Sequence, residues 1–155
     1  MRVEAITNKR NLIFALFIFL LLLVDQVLKQ LAVLYILPGS SFPLVDNFVY
    51  LTPVKNRGIF MGTFFFSPCV NTLFAGFVIA IFIALLLINL GKRENLGIAF
   101  IISGATGNIL DRVLKGGVID FINVKFWLIF NPADIFIVTG TVLFCLSLTI
   151  SRKNA

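Results

Sequence analysis

The sequence predicts an all-α membrane protein with four transmembrane helices and a small β-sheet on one side of the membrane. Of its 155 residues, 59% are hydrophobic, whereas soluble domains contain about 45–50% apolar residues. Four apolar stretches are long enough to cross a hydrocarbon core, which takes about 20 helical residues: residues 12–31, 70–90, 96–114 and 132–150. Because no linker or internal repeat divides the chain, we expect a single integral membrane domain over residues 1–155.

The first apolar stretch has the composition of a signal peptide, but its pattern indicates a retained helix. It lacks a small-residue cleavage site and continues through Asp25, Gln26 and Lys29. Basic residues lie at both chain ends and in the turn after residue 90, and the positive-inside rule predicts that these parts are cytoplasmic. They are Arg2, Lys9, Arg10, Lys92, Arg93, Arg152 and Lys153. Both termini would then lie inside, and residues 32–69 and 115–131 would face outward.

The outer segment 32–69 is too long for a simple hairpin and should carry structure of its own. Residues 48–52 are β-favouring and lie between Pro43 and Pro53. This pattern predicts a small sheet on the membrane surface.

Charged residues inside the predicted spans mark the functional part of the chain, because burying them in a membrane is costly. Asp25 and Lys29 are spaced i to i+4 with the acid first, the favourable order for a helical pair. A structural ion pair that fixes the first helix is favoured here over direct chemistry.

The end of the third helix combines small and polar residues. Gly104 and Gly107 allow close contact with another helix. At spacings of three and four, Asn108 shares a helix face with Asp111 and with Arg112, which indicates a hydrated pocket. Two glycines at 116–117 follow and are well placed to end the helix.

Two carboxylates are predicted to meet near the outer surface. Asp120 follows the end of the third helix, and Asp134 falls in the first turn of the fourth, where Asn131 suits the N-cap and Pro132 the first helical position. Two close carboxylates can share a proton and so provide one base and one acid. This pair is sufficient for hydrolysis of a peptide by water. From these two residues alone, an ion or proton pathway has equal weight.

The composition excludes several kinds of site. The chain contains no His, so Ser-His and Cys-His catalytic pairs and His-containing metal sites are not available. Cys69 and Cys145 lie far apart, and we interpret both as packing residues. The net charge of +6 comes from basic residues at the ends of apolar runs, which argues against nucleic-acid binding. We therefore expect neither a metal ion nor a cofactor.

Five motifs, in order along the chain, carry a resemblance to a known family. They are Asp25-Gln26 with Lys29; Asn56-Arg57-Gly58 with Phe60; Gly104-Ala105-Thr106-Gly107-Asn108 with Asp111-Arg112; Gly117-Val118-Ile119-Asp120-Phe121; and Asn131 with Ala133-Asp134. In these motifs the sequence resembles the bacterial lipoprotein signal peptidases, also called signal peptidase II.

The resemblance implies a four-helix aspartic endopeptidase of the bacterial inner membrane with an extracytoplasmic β-cradle. Its substrates would be prolipoproteins, cut before a diacylglyceryl-modified Cys at the outer face of the membrane. Membrane lipids would be its other partners, and we expect a monomer. The catalytic pair of the family falls on Asp120 and Asp134. Residues that shape the site or bind substrate fall on Asp25, Lys29, Asn56, Gly58, Asn108, Asp111, Arg112 and Asn131.

Asn56 has two interpretations. It is either a turn residue beside Gly58, a glycine that suggests close backbone approach or positive φ, or a hydrogen-bond partner of the substrate backbone. The resemblance favours the second interpretation.

Two other functions compete for the whole protein. One is a small transporter or channel subunit with a carboxylate proton relay, and the other is a non-catalytic assembly factor. A relay needs titratable groups at several depths, whereas Asp120 and Asp134 are both predicted at the outer end.

Overall fold

The computed structural model of the protein describes residues 2–37, 39–58, 68–87 and 92–153. In chain order the elements are α1 (Arg2–Tyr35), β1 (Phe42–Val45), β2 (Val49–Asn56), α2 (Pro68–Leu87), α3 (Lys92–Lys115), β3 (Val118–Val124), β4 (Ile129–Phe130) and α4 (Pro132–Lys153). The protein is thus rich in helix and carries one small antiparallel sheet, as predicted.

Within the described residues, three helical stretches are long and apolar enough to cross a membrane. They are Asn11–Tyr35 of α1, Asn95–Lys115 of α3 and Pro132–Ile150 of α4. In α2 the described side chains form a shorter apolar stretch, Gly76–Leu85. A fourth span at α2 therefore stays a prediction.

The predicted ends of the helices need correction. The first helix does not end at residue 31 but continues to Tyr35, because no Pro or Gly interrupts it before residue 38. It also begins at Arg2, so the polar residues before residue 12 belong to the same helix. The third helix begins at Lys92 and the fourth ends at Lys153. The predicted end of the second helix at residue 90 lies outside the described residues.

Helix α3 lies at the centre of the bundle and packs against α1, α2 and α4. Its crossing with α4 is close: a Cβ atom added to Gly97 would lie 2.8 Å from the carbonyl oxygen of Gly140. A Cβ atom at Gly104 would collide with the carbonyl oxygen of Ala133. Small residues let membrane helices approach to backbone contact in this way. The close packing predicted for Gly104 is confirmed.

The sheet has the order β1-β2-β3-β4 with all pairs antiparallel. Both prolines predicted to bound a strand lie inside strands instead, Pro43 in β1 and Pro53 in β2. Each lies where the register shifts, between Pro43 and Val45 and between Leu51 and Val54. Irregular positions of this kind tolerate a residue that cannot donate a backbone hydrogen bond.

The junction between α3 and β3 brings the sheet to the end of the bundle. Gly116 has a φ of 69° and its amide donates to the carbonyl oxygen of Arg112 at 3.1 Å, which ends α3 as predicted. A Cβ atom at Gly117 would lie 3.0 Å from the carbonyl oxygen of Asn56. Strand β3 can therefore begin in close contact with β2.

The prediction that Cys145 is a packing residue is wrong, because its side chain is exposed on α4. Both faces of a membrane helix are apolar, so the sequence pattern does not reveal which face packs against protein. The side chain of Cys69 lies outside what the structure describes.

Candidate active site

Lys29 forms two ion pairs, one within α1 and one that joins α1 to α3. The ammonium nitrogen lies 2.9 Å from Asp25 Oδ2 and 2.9 Å from Asp111 Oδ2, and all three side chains are fully buried. It also donates to Asn108 Oδ1 at 3.1 Å. Lysine has three donor hydrogens, so this side chain is saturated by the protein. The predicted Asp25–Lys29 helical pair is confirmed, and it extends to a second helix.

Asp25 also reaches the start of α4. Its Oδ1 accepts the backbone N–H of Ala133 at 2.9 Å, one of the N–H groups that a helix leaves free at its first turn. Gln26 donates to Asp25 Oδ2 at 3.0 Å and to the carbonyl oxygen of Gly107 at 3.3 Å. A Cβ atom at Gly107 would lie 2.5 Å from Asp25 Oδ2. Close packing at Gly107 is thus confirmed, and it makes room for the carboxylate.

Asp111 fixes the strand that carries Asp120. Its Oδ2 accepts the backbone N–H of Ile119 at 3.2 Å, and its Oδ1 accepts from Lys115 at 2.7 Å. Together with Lys29, these contacts occupy both oxygens. Asp111 therefore lies behind the site and holds β3 against α3.

Asn131 connects the two predicted catalytic carboxylates. Its Nδ2 donates to Asp120 Oδ1 at 2.6 Å, and its Oδ1 accepts the backbone N–H of Asp134 at 3.1 Å. The backbone N–H of Asn131 donates in return to Asp134 Oδ2 at 3.3 Å. This reciprocal arrangement is a capping box, and it confirms the predicted N-cap. The side chain that caps α4 is also the one that holds Asp120.

Asp120 is buried, with 5% of its surface exposed. Its second oxygen accepts from Asn56 Nδ2 at 3.0 Å. Burial raises the pKa of this carboxyl to about 6, because the low dielectric disfavours its charged form. The hydrogen bonds from Asn56 and Asn131 oppose that rise in pKa, and the like charge of Asp134 adds to it.

Asn108 lies behind Asp134 on α3. Its Nδ2 donates to Asp134 Oδ1 at 2.9 Å, while its Oδ1 accepts from Lys29 and from Asn131 Nδ2 at 3.1 and 3.2 Å. Both oxygens of Asp134 are therefore held by the protein. Polar contacts run without interruption from Asp25 to Asp120 through these side chains.

Arg112 is half-buried and its side chain makes one hydrogen bond among the described residues. Its Nη1 donates to the carbonyl oxygen of Asn108 over a long distance, 3.5 Å, and its buried Nε has no partner among the described residues. Its charge interacts with those of Asp134, Asp120 and Asp111. Unused guanidinium hydrogens thus lie near the two carboxylates.

Asn56 contributes to the site in two ways. Besides its bond to Asp120, its Oδ1 accepts the backbone N–H of Gly58 at 2.9 Å, a turn in which the side chain replaces a backbone acceptor. The substrate contact predicted for Asn56 stays a prediction.

The structure brings all ten predicted site residues into one polar cluster at the junction of helices and sheet. Sequence reasoning missed Lys115, although it lies four residues after Asp111, the same spacing that identified Asp25 and Lys29. Among the described residues, no group of three or more His, Cys, Asp or Glu side chains could hold a metal ion. What the cluster offers is a buried carboxyl group whose pKa is raised to about 6, that of Asp120, close to a second carboxyl group, that of Asp134. Such a pair suits acid–base chemistry.

Comparisons with known proteins agree with this geometry. A family profile described as signal peptidase (SPase) II matches residues 17–150. The lipoprotein signal peptidase of Caldanaerobacter subterraneus subsp. tengcongensis is 39% identical over 125 residues, which cover 77% of this chain and 83% of the relative. That of Clostridioides difficile is 35% identical over 140 residues, covering 87% and 93%. A solved structure described as a bacterial membrane enzyme superposes with a TM-score of 0.76 at 26% identity, covering 91% of this chain and 90% of that one.

Proposed function

The chain belongs to the signal peptidase II family, and from this premise we propose an aspartic endopeptidase that removes signal peptides from prolipoproteins with Asp120 and Asp134 as its catalytic pair. The observation that carries the assignment is Asn131, whose side chain bonds Asp120 Oδ1 and the backbone N–H of Asp134. One side chain thus fixes both carboxylates relative to each other.

Each carboxylate has a distinct role in this proposal. Asp120, whose pKa is raised to about 6, is the acid that protonates the scissile carbonyl oxygen. Asp134 is the base that takes a proton from the attacking water, and it later passes this proton to the departing amine. As the tetrahedral diol collapses, Asp120 takes back the proton that it gave to the carbonyl oxygen. An apolar signal peptide that covers the pair excludes all solvent except the attacking water, and this desolvation raises the pKa of Asp120 further. The pair then enters the reaction with one proton.

Arg112 supports the proposal as the group that binds substrate beside the pair. Its Nε has no partner among the described residues, and its one hydrogen bond is long. An unpaired guanidinium donor near the carboxylates can bind a carbonyl of the peptide and stabilise developing negative charge on it. The second hydrogen of Asn56 Nδ2 is a further donor on the sheet side, consistent with its predicted contact to the substrate backbone.

Asp25, Lys29 and Asp111 have a supporting role. Their charges are paired within the protein, so they hold α1, α3, α4 and β3 together rather than contact substrate. A proton relay would need titratable groups farther along the bundle. The remaining buried polar residues in the described part are Asn95, Ser103 and Ser147, whose side chains do not titrate near neutral pH.

The family and the apolar helices support a bacterial membrane protein. We extend this to four spans in the inner membrane, with residues 1–155 as one domain and both termini cytoplasmic, since basic residues lie at the ends opposite the site. The sheet and the two carboxylates would then face the outside, where the diacylglyceryl-modified Cys of the substrate lies. The enzyme would act as a monomer among membrane lipids.

The test is a cleavage assay with purified protein in detergent and a diacylglyceryl-modified prolipoprotein. We expect release of the signal peptide, and complete loss of release in Asp120→Asn and in Asp134→Asn while both variants still bind the substrate. Asp46→Asn is the matched control, because Asp46 is an exposed carboxylate in the β1–β2 turn. Near-normal turnover of either dyad variant would end the assignment.

A further inference from the structure

The far end of the sheet carries an exposed aromatic cluster that the catalytic site does not use. Phe126 and Trp127 lie in the β3–β4 turn and are 97% and 79% exposed, and Phe48 in the β1–β2 turn is 59% exposed. A cluster of large aromatic side chains with this much exposed surface is unusual where the surface faces water, because aromatic residues contribute large buried areas when they pack. We call these three residues the aromatic tip.

The backbone of the β3–β4 turn is unfavourable for the residue it contains. The Trp127 N–H donates to the carbonyl oxygen of Val124 at 3.0 Å, which places Phe126 third in the turn with a φ of 67°. A positive φ at this position favours Gly or Asn and is sterically disfavoured for a bulky side chain.

The β1–β2 turn supplies an internal comparison. The Phe48 N–H donates to the carbonyl oxygen of Val45 at 3.0 Å, and the third residue, Asn47, has a φ of 60°. Two turns at the same end of the sheet thus share one geometry, and one of them uses the expected Asn. Folding does not explain a phenylalanine in the other, so its side chain has a different role.

The two turns are fastened together. The Lys125 N–H donates to the carbonyl oxygen of Phe48 at 3.0 Å, and Lys125 Nζ donates to Asn47 Oδ1 at 3.2 Å. The same ammonium group lies 5.1 Å from the ring centroid of Phe126. The rings are therefore presented as a unit next to a positive charge. Aromatic rings with neighbouring Lys are the composition found at the boundary between lipid headgroups and hydrocarbon.

An apolar edge connects the tip to the membrane-spanning helix α1. All four residues of β1, Phe42–Val45, are exposed, and β1 is an edge strand of the sheet. At the other end of this strand, Tyr35 and Leu37 are exposed next to the end of α1. An exposed apolar edge in water is an aggregation hazard. In contact with lipid, the same edge continues the apolar surface of the span.

We propose that the aromatic tip inserts into the headgroup region of the bilayer and anchors the free end of the sheet there. Asp120 lies six residues before Phe126, so the tip is roughly 20 Å from the catalytic carboxylate at 3.3 Å per residue. The sheet is thereby held at two points, by α3 near Asp120 and by lipid at the tip. This arrangement fixes the height of Asp120 relative to the membrane surface.

Trp127 is the only tryptophan of the chain, so its fluorescence reports on the tip of the unmodified protein. The protein is placed in nanodiscs of phosphatidylethanolamine and phosphatidylglycerol whose acyl chains carry bromine either near the glycerol or near the methyl end. We expect blue-shifted emission, stronger quenching by bromine near the glycerol, and little quenching by acrylamide. The variant Trp127→Phe with Val142→Trp is the reference, because Val142 is exposed in the middle of α4, and bromine near the methyl end should quench it most.

Two results would overturn the proposal. Quenching of Trp127 by acrylamide and not by bromine would place the tip in water, and protection from both quenchers would place it against a second protein copy. Phe126→Asn gives the turn the residue that suits its backbone, so the melting temperature should not fall while quenching by bromine decreases. Unchanged quenching would remove Phe126 from the anchor. In the Asp120→Asn variant, which should be inactive, the fluorescence of Trp127 should be quenched as in wild type. The position of the tip is therefore tested separately from the catalytic pair.

Discussion

Replacing Asp120 by Asn should make the stability of the protein less sensitive to pH, and the structure sets the size of the effect. The folded pKa of Asp120 is about 6, against 3.8 for an ordinary Asp. At about 1.4 kcal/mol per pKa unit, this difference corresponds to about 3 kcal/mol. Because the folded pKa is raised, protonated Asp120 favours the folded state at low pH. That contribution is complete below pH 3.8 and is lost as pH rises through about 6.

The substitution also has an effect that does not depend on pH. Asp120 accepts hydrogen bonds at both oxygens, from Asn131 and Asn56, whereas an amide has a single acceptor oxygen. One of these bonds is lost, which costs about 1–3 kcal/mol. The absolute stability of the variant is therefore a poor measure, but its change with pH isolates the titration of Asp120.

We expect the stability of Asp120→Asn relative to wild type to improve by about 2–3 kcal/mol between pH 4 and pH 8. Equilibrium unfolding of both proteins in the same mixed micelles at a series of pH values measures it. Asp46→Asn changes an exposed carboxylate, and its difference from wild type should stay nearly constant. A relative stability that is flat or declines for Asp120→Asn refutes the reasoning from burial.

Four further predictions follow from individual contacts. Lys29→Met removes the ion-pair partner of buried Asp25 and one of the two ion pairs of buried Asp111, and it should lower the free energy of unfolding by about 3–5 kcal/mol. A loss below about 1 kcal/mol by chemical unfolding would contradict the buried pairing. Arg112→Lys keeps the positive charge but not the planar fork of donors. We expect kcat to fall at least about tenfold, which is about 1.4 kcal/mol in activation free energy, while the melting temperature stays unchanged. A wild-type kcat would exclude the guanidinium contact with substrate. Asn56→Ala should reduce cleavage severely with a small decrease in melting temperature, and a parallel loss of both would identify a turn role alone. EDTA should leave activity unchanged, because the chain has no His and the site carboxylates act as acid and base; inhibition reversed by a divalent cation would contradict this.

Local patterns predicted the parts of the site that depend on short separations along the chain. The capping box at the start of α4 joins Asn131 to Asp134, and the ion pair of α1 joins residues four apart. In both cases helical geometry alone brings the side chains together. The end of α3 at Gly116 follows from the same kind of rule, since positive φ suits glycine.

The sheet was predicted only in part, because its formation depends on residues that lie far apart along the chain. Residues 48–52 had β-favouring composition, but β2 begins at Val49 and continues through Pro53 to Asn56. Strands β3 and β4 were not predicted at all, although β3 carries Asp120. A strand is stabilised by its pairing partner, and β2 pairs with β3 across more than sixty residues of sequence, which no local pattern reveals.

The sequence by itself determined the class of protein, the family and the helical character of the spans. It also identified the polar residues inside the predicted spans, where burying a polar group is costly. Only the tertiary structure decided how those residues connect. Asp25 accepts the backbone N–H of Ala133 in α4, Asp111 accepts that of Ile119 in β3, and Asn131 donates to Asp120. The contact between Asp25 and Ala133 spans 108 positions. Propensities and spacings act over one helical turn or one strand, whereas such contacts depend on how closely glycine faces such as those of Gly104 and Gly107 let the helices approach. The raised pKa of Asp120 was likewise decided by the tertiary structure, because burial is a property of the packed structure and not of the residue.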